Sequence, residues 1–330
     1  MTTRGLWLDI GISAVILVLV ACAAPLVGPA NIQYGRAIAG LSPDHEILFY
    51  ARLPRVLLSL IAGGTLAVTG LLFQALLRDA LADPYTLGIS SGAAFGAVLA
   101  ICFGWRATGS FPAVWTAAFI GSGTALLLVL AISFEGRRLS SFTLLLAGVT
   151  INSICVALIL FLHNLATVGQ SFAIERWLMG GIEAVDYSVI GWLAAAVLPL
   201  CLFAFVRARH WNLLAVGEDW AAARGVSSTR LVLTGYLAGS IMTASVTALT
   251  GPIGFVGLIV PHALRLRLGA DHRVLIPCSF LLGAAFLTVC DTVSRTALAP
   301  TEIPVGVITA LLGGPFFIWL LRSKRRSLWL

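Results

Sequence analysis

The sequence predicts an all-α polytopic membrane protein that forms a single transmembrane domain over residues 1–330. Of the 330 residues, 59% are hydrophobic and only 11% are charged, whereas soluble domains carry about 25% charged residues. Uncharged runs of about 18 residues or more are long enough to cross a bilayer as helices. The runs are continuous rather than alternating between polar and apolar residues, which favours helices over a membrane β-barrel.

Long uncharged runs follow one another along the whole chain. They cover 10–35, 56–77, 84–105, 107–134, 139–174, 187–206, 231–264, 274–290 and 303–321. The run 231–264 is too long for one span, and its sequence TGPIG at 250–254 predicts a break into two shorter spans. We interpret the first run as a retained span. A cleaved lipoprotein signal ending at Cys22 is the alternative, although signal cores are only about 7–15 residues long.

The positions of the basic residues predict the orientation, because cytoplasmic loops are rich in arginine and lysine. If Arg4 lies inside and the run 231–264 is divided in two, most basic residues fall on the cytoplasmic side. These include Arg207, Arg209 and the tail RSKRRS at 322–327. We therefore predict ten transmembrane helices with both termini in the cytoplasm.

Catalytic and metal-binding motifs are missing from the sequence. A P-loop needs Gly-Lys-Ser/Thr, and the single lysine, Lys324, is followed by Arg325. We therefore expect no ATPase or other enzyme activity and no cofactor or metal. The net charge of +7 does not indicate nucleic acid, because the arginines stand in short clusters between apolar runs. The six cysteines lie in apolar runs without a Cys-x-x-Cys pair, which favours small buried residues over disulfides.

The distribution of acidic residues bears on the source of energy. Ionisable groups within spans usually mark ion or proton routes, but Asp9 and Asp291 lie at the ends of runs. This favours a transport route whose energy comes from elsewhere. An ion-coupled secondary carrier is the alternative.

Glycines at regular spacing predict close helix packing. Gly88, Gly92 and Gly96 recur every four residues, as do Gly235 and Gly239. Such spacing places small residues on one helix face, where it allows helices to approach closely in lipid. Static packing and a moving interface both fit this pattern.

Three long stretches resemble a known family. They are LPRVLLSLIAGGTLAVTGLLFQALLRDALADPYTLGISSGAAFGAVLA at 53–100, GPIGFVGLIVPHALRLRLGADHRVLIP at 251–277 and DTVSRTALAPTEIPVGVITALLGGPFFIWLL at 291–321. Their order and spacing are similar to those of the FecCD-like, or type II, permease subunits of bacterial ABC importers for iron-siderophore complexes, haem and cobalamin.

The resemblance implies a homodimer in the bacterial inner membrane with its transport route between the subunits. It implies an inverted repeat in which spans two to five match spans seven to ten. It also implies two cytoplasmic ATP-binding subunits and a periplasmic or lipid-anchored binding protein as partners. The cargo, an iron chelate such as a siderophore complex or haem, or else cobalamin, is not determined by the sequence.

The resemblance assigns roles on the outer and inner faces. Arg52, Arg55 and Arg295 match arginines that receive acidic residues of the binding protein; anchoring at lipid headgroups is the simpler alternative. The family's cytoplasmic gate corresponds to two places, the first of which departs from the usual Asn-Pro-Leu-Ala and reads DALA at 79–82. The gate residues are Asp79, Leu81, Ser140, Ser141 and Phe142.

Two further segments have positions that suit short helices. A helix from Leu213 to Ala223, stopped by Gly225, corresponds to the segment that docks on the ATPase; a solvated loop is the alternative. Its functional residues are Gly217, Glu218, Asp219, Ala221, Ala222 and Gly225. The segment 167–188 mixes apolar and charged residues, which favours a helix at the outer interface over a plain loop.

Overall fold

The computed structural model describes residues 3–105, 112–135 and 138–323, and most of these residues are helical. The part of the basic tail from 324 onward, which entered the orientation argument, lies outside the described residues. The first half contains α1 (Thr3–Ala23), α2 (Tyr34–Ile38), α3 (Asp44–Glu46), α4 (Leu53–Leu77), α5 (Ile89–Cys102), α6 (Ala113–Ser133) and α7 (Ser141–Leu165). A short 3-10 turn follows α1, and a π-helical turn, Ile47–Arg52, leads into α4.

The second half is also built from helices. They are α8 (Val168–Leu178), α9 (Tyr187–Val206), α10 (Ala208–Val216), α11 (Glu218–Ala223), α12 (Ser228–Thr250), α13 (Val256–Leu268), α14 (His272–Thr296) and α15 (Val305–Ser323). The predicted all-α class is confirmed: the one β-pairing among the described residues is a minimal antiparallel pair between α6 and α7, in which β1 (Phe134–Glu135) pairs with β2 (Arg138–Leu139).

Seven helical segments of the described chain are long and apolar enough to cross a membrane, so this is a multi-pass membrane protein. The helices α5 and α15 are apolar but shorter. The predicted break in the run 231–264 is confirmed, because α12 ends at Thr250 and α13 begins at Val256. A helix in the 167–188 segment is also confirmed as α8, which begins with a capping box between Thr167 and Gln170.

The helix α4 lies at the centre of the fold. It packs against α14, α12, α13 and α9, and its residues 62–76 are all buried. By contrast, α1, α6, α7 and α9 expose many large apolar side chains, such as Leu19, Leu127 and Trp192. In water such a surface would be unfavourable, but it is what a lipid-facing helix requires.

The regularly spaced glycines lie at helix crossings, as predicted. A Cβ on Gly92 would stand 2.6 Å from the carbonyl oxygen of Gly121 on α6, and a Cβ on Gly96 would stand still closer to the carbonyl oxygen of Ala117. The prediction that Gly88 shares their helical face is wrong in one respect. Gly88 precedes α5, with φ 81°, because the run that begins at 84 stays non-helical until Ile89.

Two non-helical segments, 78–88 and 251–255, meet inside the fold. The hydroxyl of Tyr85 donates to the carbonyl oxygen of Ile253 and accepts from the N–H of the same residue, both at 2.6 Å. Each segment joins a long helix, α4 or α12, to a short one, α5 or α13. Broken helices that line a central region are typical of transporters with internal repeats. The equivalence of the two halves stays a prediction.

Candidate functional site

A buried carboxylate holds two arginines together where α4 and α14 lie side by side. Asp291 is fully buried, and its Oδ1 accepts from Nε of Arg55 at 2.9 Å. Its Oδ2 lies 3.6 Å from Nε of Arg295, one helical turn further along α14. Arg295 and Asp291 thus form an ion pair, which their spacing of four residues on one helix allows. Because a buried charge is costly without a partner, the three residues stabilise one another.

The main chain before α4 binds the remaining arginine donors. Arg295 donates to the carbonyl oxygen of Ala24 at 2.7 Å. Arg52 donates to Pro25 at 3.1 Å and also to Ala30. Arg52 and Arg295 are only 5% and 3% exposed. In this structure they therefore hold the segment 24–30 in place, and Arg55, with its side chain 13% exposed, is the least buried of the three predicted docking arginines. The docking role itself stays a prediction.

Glu302 completes this cluster and was not found by the sequence analysis. It lies in the segment between α14 and α15, and both of its carboxylate oxygens lie 3.0 Å from Nη1 of Arg55. Its side chain is 49% exposed. A lone acid in a loop carries no signal of its own in a sequence. Only the short distance between Arg55 and Glu302 in the folded chain identifies Glu302 as the second, more exposed carboxylate partner of Arg55.

An open cavity of about 630 Å³ adjoins this cluster. It lies between α8, the segment 301–305 and the end of α12, and Arg55 and Glu302 form part of its wall. Three aromatic residues, Trp115, Phe172 and Trp177, are among those that line it. The cavity can therefore receive a partly apolar molecule, with charged groups at its rim.

The two predicted gate segments lie together at the C-terminal end of α4. Oδ1 of Asp79 accepts from the N–H of Leu81 at 2.9 Å. This is an Asx turn, which aspartate forms as well as asparagine, so the departure from the family motif retains the turn. Ser140 caps α7 by accepting from Thr143, and Ser141 donates to the carbonyl oxygen of Leu76 at 3.3 Å.

The apolar members of the gate segments face outward from this single chain. Leu81 is 55% exposed and Phe142 is 75% exposed. Large exposed apolar side chains beside a turn are typical of a surface that another chain or the lipid covers. The gate role of these residues stays a prediction.

The predicted coupling segment differs from expectation in one respect. A single helix from Leu213 to Ala223 is wrong, because the extended Gly217 separates α10 from α11. The predicted stop at Gly225 is correct. Gly225, with φ 78°, follows α11, and the next N–H, that of Val226, bonds back to Ala221. Within α11, Asp219 and Ala222 are exposed but Ala221 is fully buried.

Polar contacts fix this segment to the helices of the core. Glu218, at the start of α11, pairs with Arg78 after α4 at 2.7 Å. On α10, Asn212 donates to Asp271, which caps α14. Hydrogen bonds from Arg273 and Asn212 hold the pKa of the Asp271 carboxyl well below its usual range. The coupling segment and the gate turn after α4 are thus directly connected through the Arg78–Glu218 pair.

Asp83 is a buried acid in the connecting segment 78–88. Burial raises the pKa of its carboxyl to about 7, although hydrogen bonds from the main chain of Tyr85 and Phe255 oppose this shift. These bonds tie the segment to the start of α13.

Among the described residues, no group of three or more His, Cys, Asp or Glu side chains is arranged to hold a metal ion.

Comparison with known proteins places these features in a family. The model of the FecCD transport family matches residues 16–323. The hemin transport system permease of Yersinia pestis is 36% identical over 325 residues, which are 97% of each chain. The vitamin B12 import system permease of Escherichia coli O9:H4 (strain HS) is 41% identical over 293 residues, which are 86% of each chain.

A solved structure has the same fold. It is an inward-facing conformation of a transporter assigned to the metal-chelate type of ABC transporter. The match has a TM-score of 0.82 and 30% sequence identity, and it covers 96% of this chain and 99% of the other. The chain is therefore a membrane-spanning transport subunit of the ABC permease class. It belongs to the FecCD transport family, as the three sequence stretches indicated.

Proposed function

We propose that this chain is the permease subunit of a binding-protein-dependent ABC importer in the bacterial inner membrane. Two copies form the transport route, two cytoplasmic ATP-binding subunits supply the energy, and a periplasmic or lipid-anchored binding protein delivers the cargo. The observation that carries this proposal is the family match over residues 16–323. No nucleic acid is involved, and the remaining surface contacts membrane lipid.

The cargo belongs to the class of bulky metal chelates. Permeases for hemin and for vitamin B12 are similar to this chain over most of their length, at 36% and 41% identity. Both cargoes are large, metal-containing macrocycles. An iron-siderophore complex, haem or cobalamin therefore fits the proposal, and the aromatic lining of the outer cavity suits each of them.

The proposed topology has ten spans with both termini in the cytoplasm. The seven long helical segments account for seven spans, and the shorter α5, α13 and α15 supply the other three. In this arrangement α10 and α11 are cytoplasmic, and the segment between α14 and α15 is external. The group formed by Arg52, Arg55, Asp291, Arg295 and Glu302, here called the outer cluster, then faces the binding protein. On the other side, α11 faces the ATPase.

Cysteine labelling tests the topology. Gly217→Cys and Thr301→Cys are introduced separately into a background without native cysteines. An impermeant thiol reagent is applied to intact spheroplasts and, as a control, to lysed cells. Thr301→Cys should react in both, and Gly217→Cys only after lysis. The opposite pattern would refute the orientation.

Transport in vesicles tests the function. The complete complex, reconstituted with its ATP-binding subunits, should accumulate haem, cobalamin or a ferric siderophore only with ATP, and an uncoupler should have no effect. Uptake that persists without ATP and collapses with the uncoupler would instead support an ion-coupled carrier.

A further inference from the structure

The carboxylate of Glu302 is the replaceable member of the outer cluster. Asp291 is fully buried, and Arg52 and Arg295 bind main-chain carbonyl groups inside the protein. Glu302 is half-exposed, and among the described residues Arg55 is its one hydrogen-bond donor. Exchange of Glu302 for another carboxylate would therefore leave every buried partner in place.

The charges of the cluster favour such an exchange. Three arginines face two acids, so the cluster carries a net positive charge while Glu302 is bound and a larger one when its side chain turns away. Arg55 uses Nε for Asp291 and Nη1 for Glu302. An incoming carboxylate can thus take the outward donor without disturbing the buried pair. Arginine suits this arrangement because its guanidinium has several donors in a fixed geometry.

The backbone beside Glu302 is fixed. The N–H of Ile303 donates to the carbonyl oxygen of Ser294 at 3.1 Å, and the hydroxyl of Ser294 donates back to the carbonyl of Ile303. Release of Glu302 therefore requires only rotation of its side chain. It also follows that a shorter acid at this position would reach Arg55 less well, because the main chain cannot move closer.

We infer that Glu302 is a built-in competitor that occupies the outward donor of Arg55 until a carboxylate of the delivering protein replaces it. This inference rests on the proposed docking of an acidic partner at Arg55. The exchange makes docking selective, because a partner must supply a carboxylate at this place to displace the internal one. It also weakens docking, since each binding event breaks one ion pair to form another.

The test uses the full-length chain in nanodiscs and a fluorescein-labelled octaglutamate peptide as the carboxylate probe, with octaglutamine as its uncharged control. Fluorescence anisotropy at about 0.15 M salt, where the screening length is about 8 Å, gives the dissociation constant. Because an exposed ion pair is weak, Glu302→Gln should tighten peptide binding by about 1.4- to 5-fold.

Two matched variants separate competition from net charge. Glu183→Gln removes the same charge from the rim of the same cavity, where Glu183 pairs with Arg176 at 3.0 Å, and should leave the dissociation constant unchanged. Glu302→Asp keeps the charge but weakens the contact with Arg55, and should tighten binding as Glu302→Gln does. If Glu302→Asp behaves as wild type while both Gln variants tighten binding equally, only net charge matters and the inference is wrong.

A variant of the arginine separates failure of this inference from failure of the docking proposal. Arg55→Gln should abolish peptide binding; if that variant does not fold, Arg55→Lys, which retains a charge beside Asp291, should weaken it. Loss of binding in the arginine variant, with no gain in Glu302→Gln, would retain docking at Arg55 but overturn the competitor role. Unchanged binding in the arginine variant, or no binding by wild type and Glu302→Gln alike, would overturn both.

Discussion

Replacing the buried acid of the outer cluster should destabilise the fold strongly. In Asp291→Asn, the Arg295 guanidinium, whose side chain is 3% exposed, loses its one carboxylate partner among the described residues. Breaking a buried ion pair from one side costs about 3–5 kcal/mol. Arg55 retains Glu302 at 3.0 Å, so the lower end of that range, about 3 kcal/mol, is expected.

The native cysteines provide the assay for this prediction. Cys155, Cys201, Cys278 and Cys290 are buried, so a thiol-reactive dye reports their exposure as the purified protein unfolds on heating in detergent. Larger soluble domains lose roughly 2–4 °C per kcal/mol. A drop on the order of 6–12 °C is therefore expected for Asp291→Asn.

Two comparisons make the result decisive. Glu302→Gln removes the exposed partner of Arg55 and should cost no more than about 1 kcal/mol. Adding Arg295→Gln to Asp291→Asn removes both buried charges, and should recover part of the loss because no unpaired cation remains. If Asp291→Asn unfolds at the wild-type temperature, or if the double variant is less stable by the full sum of the single effects, the charge-pairing explanation is refuted.

The remaining predictions concern helix packing and ATPase docking. Gly70→Ala should lower the unfolding temperature and the yield of folded protein on a sizing column, because a Cβ there would overlap the main-chain carbonyl of Gly257. Gly123→Ala meets nothing within 4 Å and should be neutral or stabilising by up to about 1 kcal/mol; equal losses would contradict the packing argument. Ala222→Glu, on the exposed face of α11, should weaken co-purification of the ATP-binding subunits while the unfolding temperature stays unchanged. Ala221→Glu should instead lower that temperature, since Ala221 is fully buried, and normal ATPase binding and transport by Ala222→Glu would refute the docking assignment.

The sequence by itself determined the class of the protein and much of its helical pattern. Uncharged runs identify membrane helices because no water is present to bind an exposed backbone or charge within the bilayer. The break at 250–254 and the stop at Gly225 were predictable because glycine and proline act through local backbone geometry. The spacing of Gly92 and Gly96 likewise predicted a helix crossing from one element alone.

Tertiary structure alone decided which polar residues meet and which are accessible. Arg55 contacts Asp291 and Glu302 across 236 and 247 positions of the chain, and no local pattern encodes that proximity. Burial of Arg52 is decided in the same way, because the segment 24–30, distant in sequence, covers it. Burial of Ala221 is decided by the packing of α11 against its neighbouring helices. A sequence predicts such residues as surface candidates because their type is compatible with exposure. The packing of α4 against α14, and of α11 against its neighbours, determines the side chains that a partner can reach.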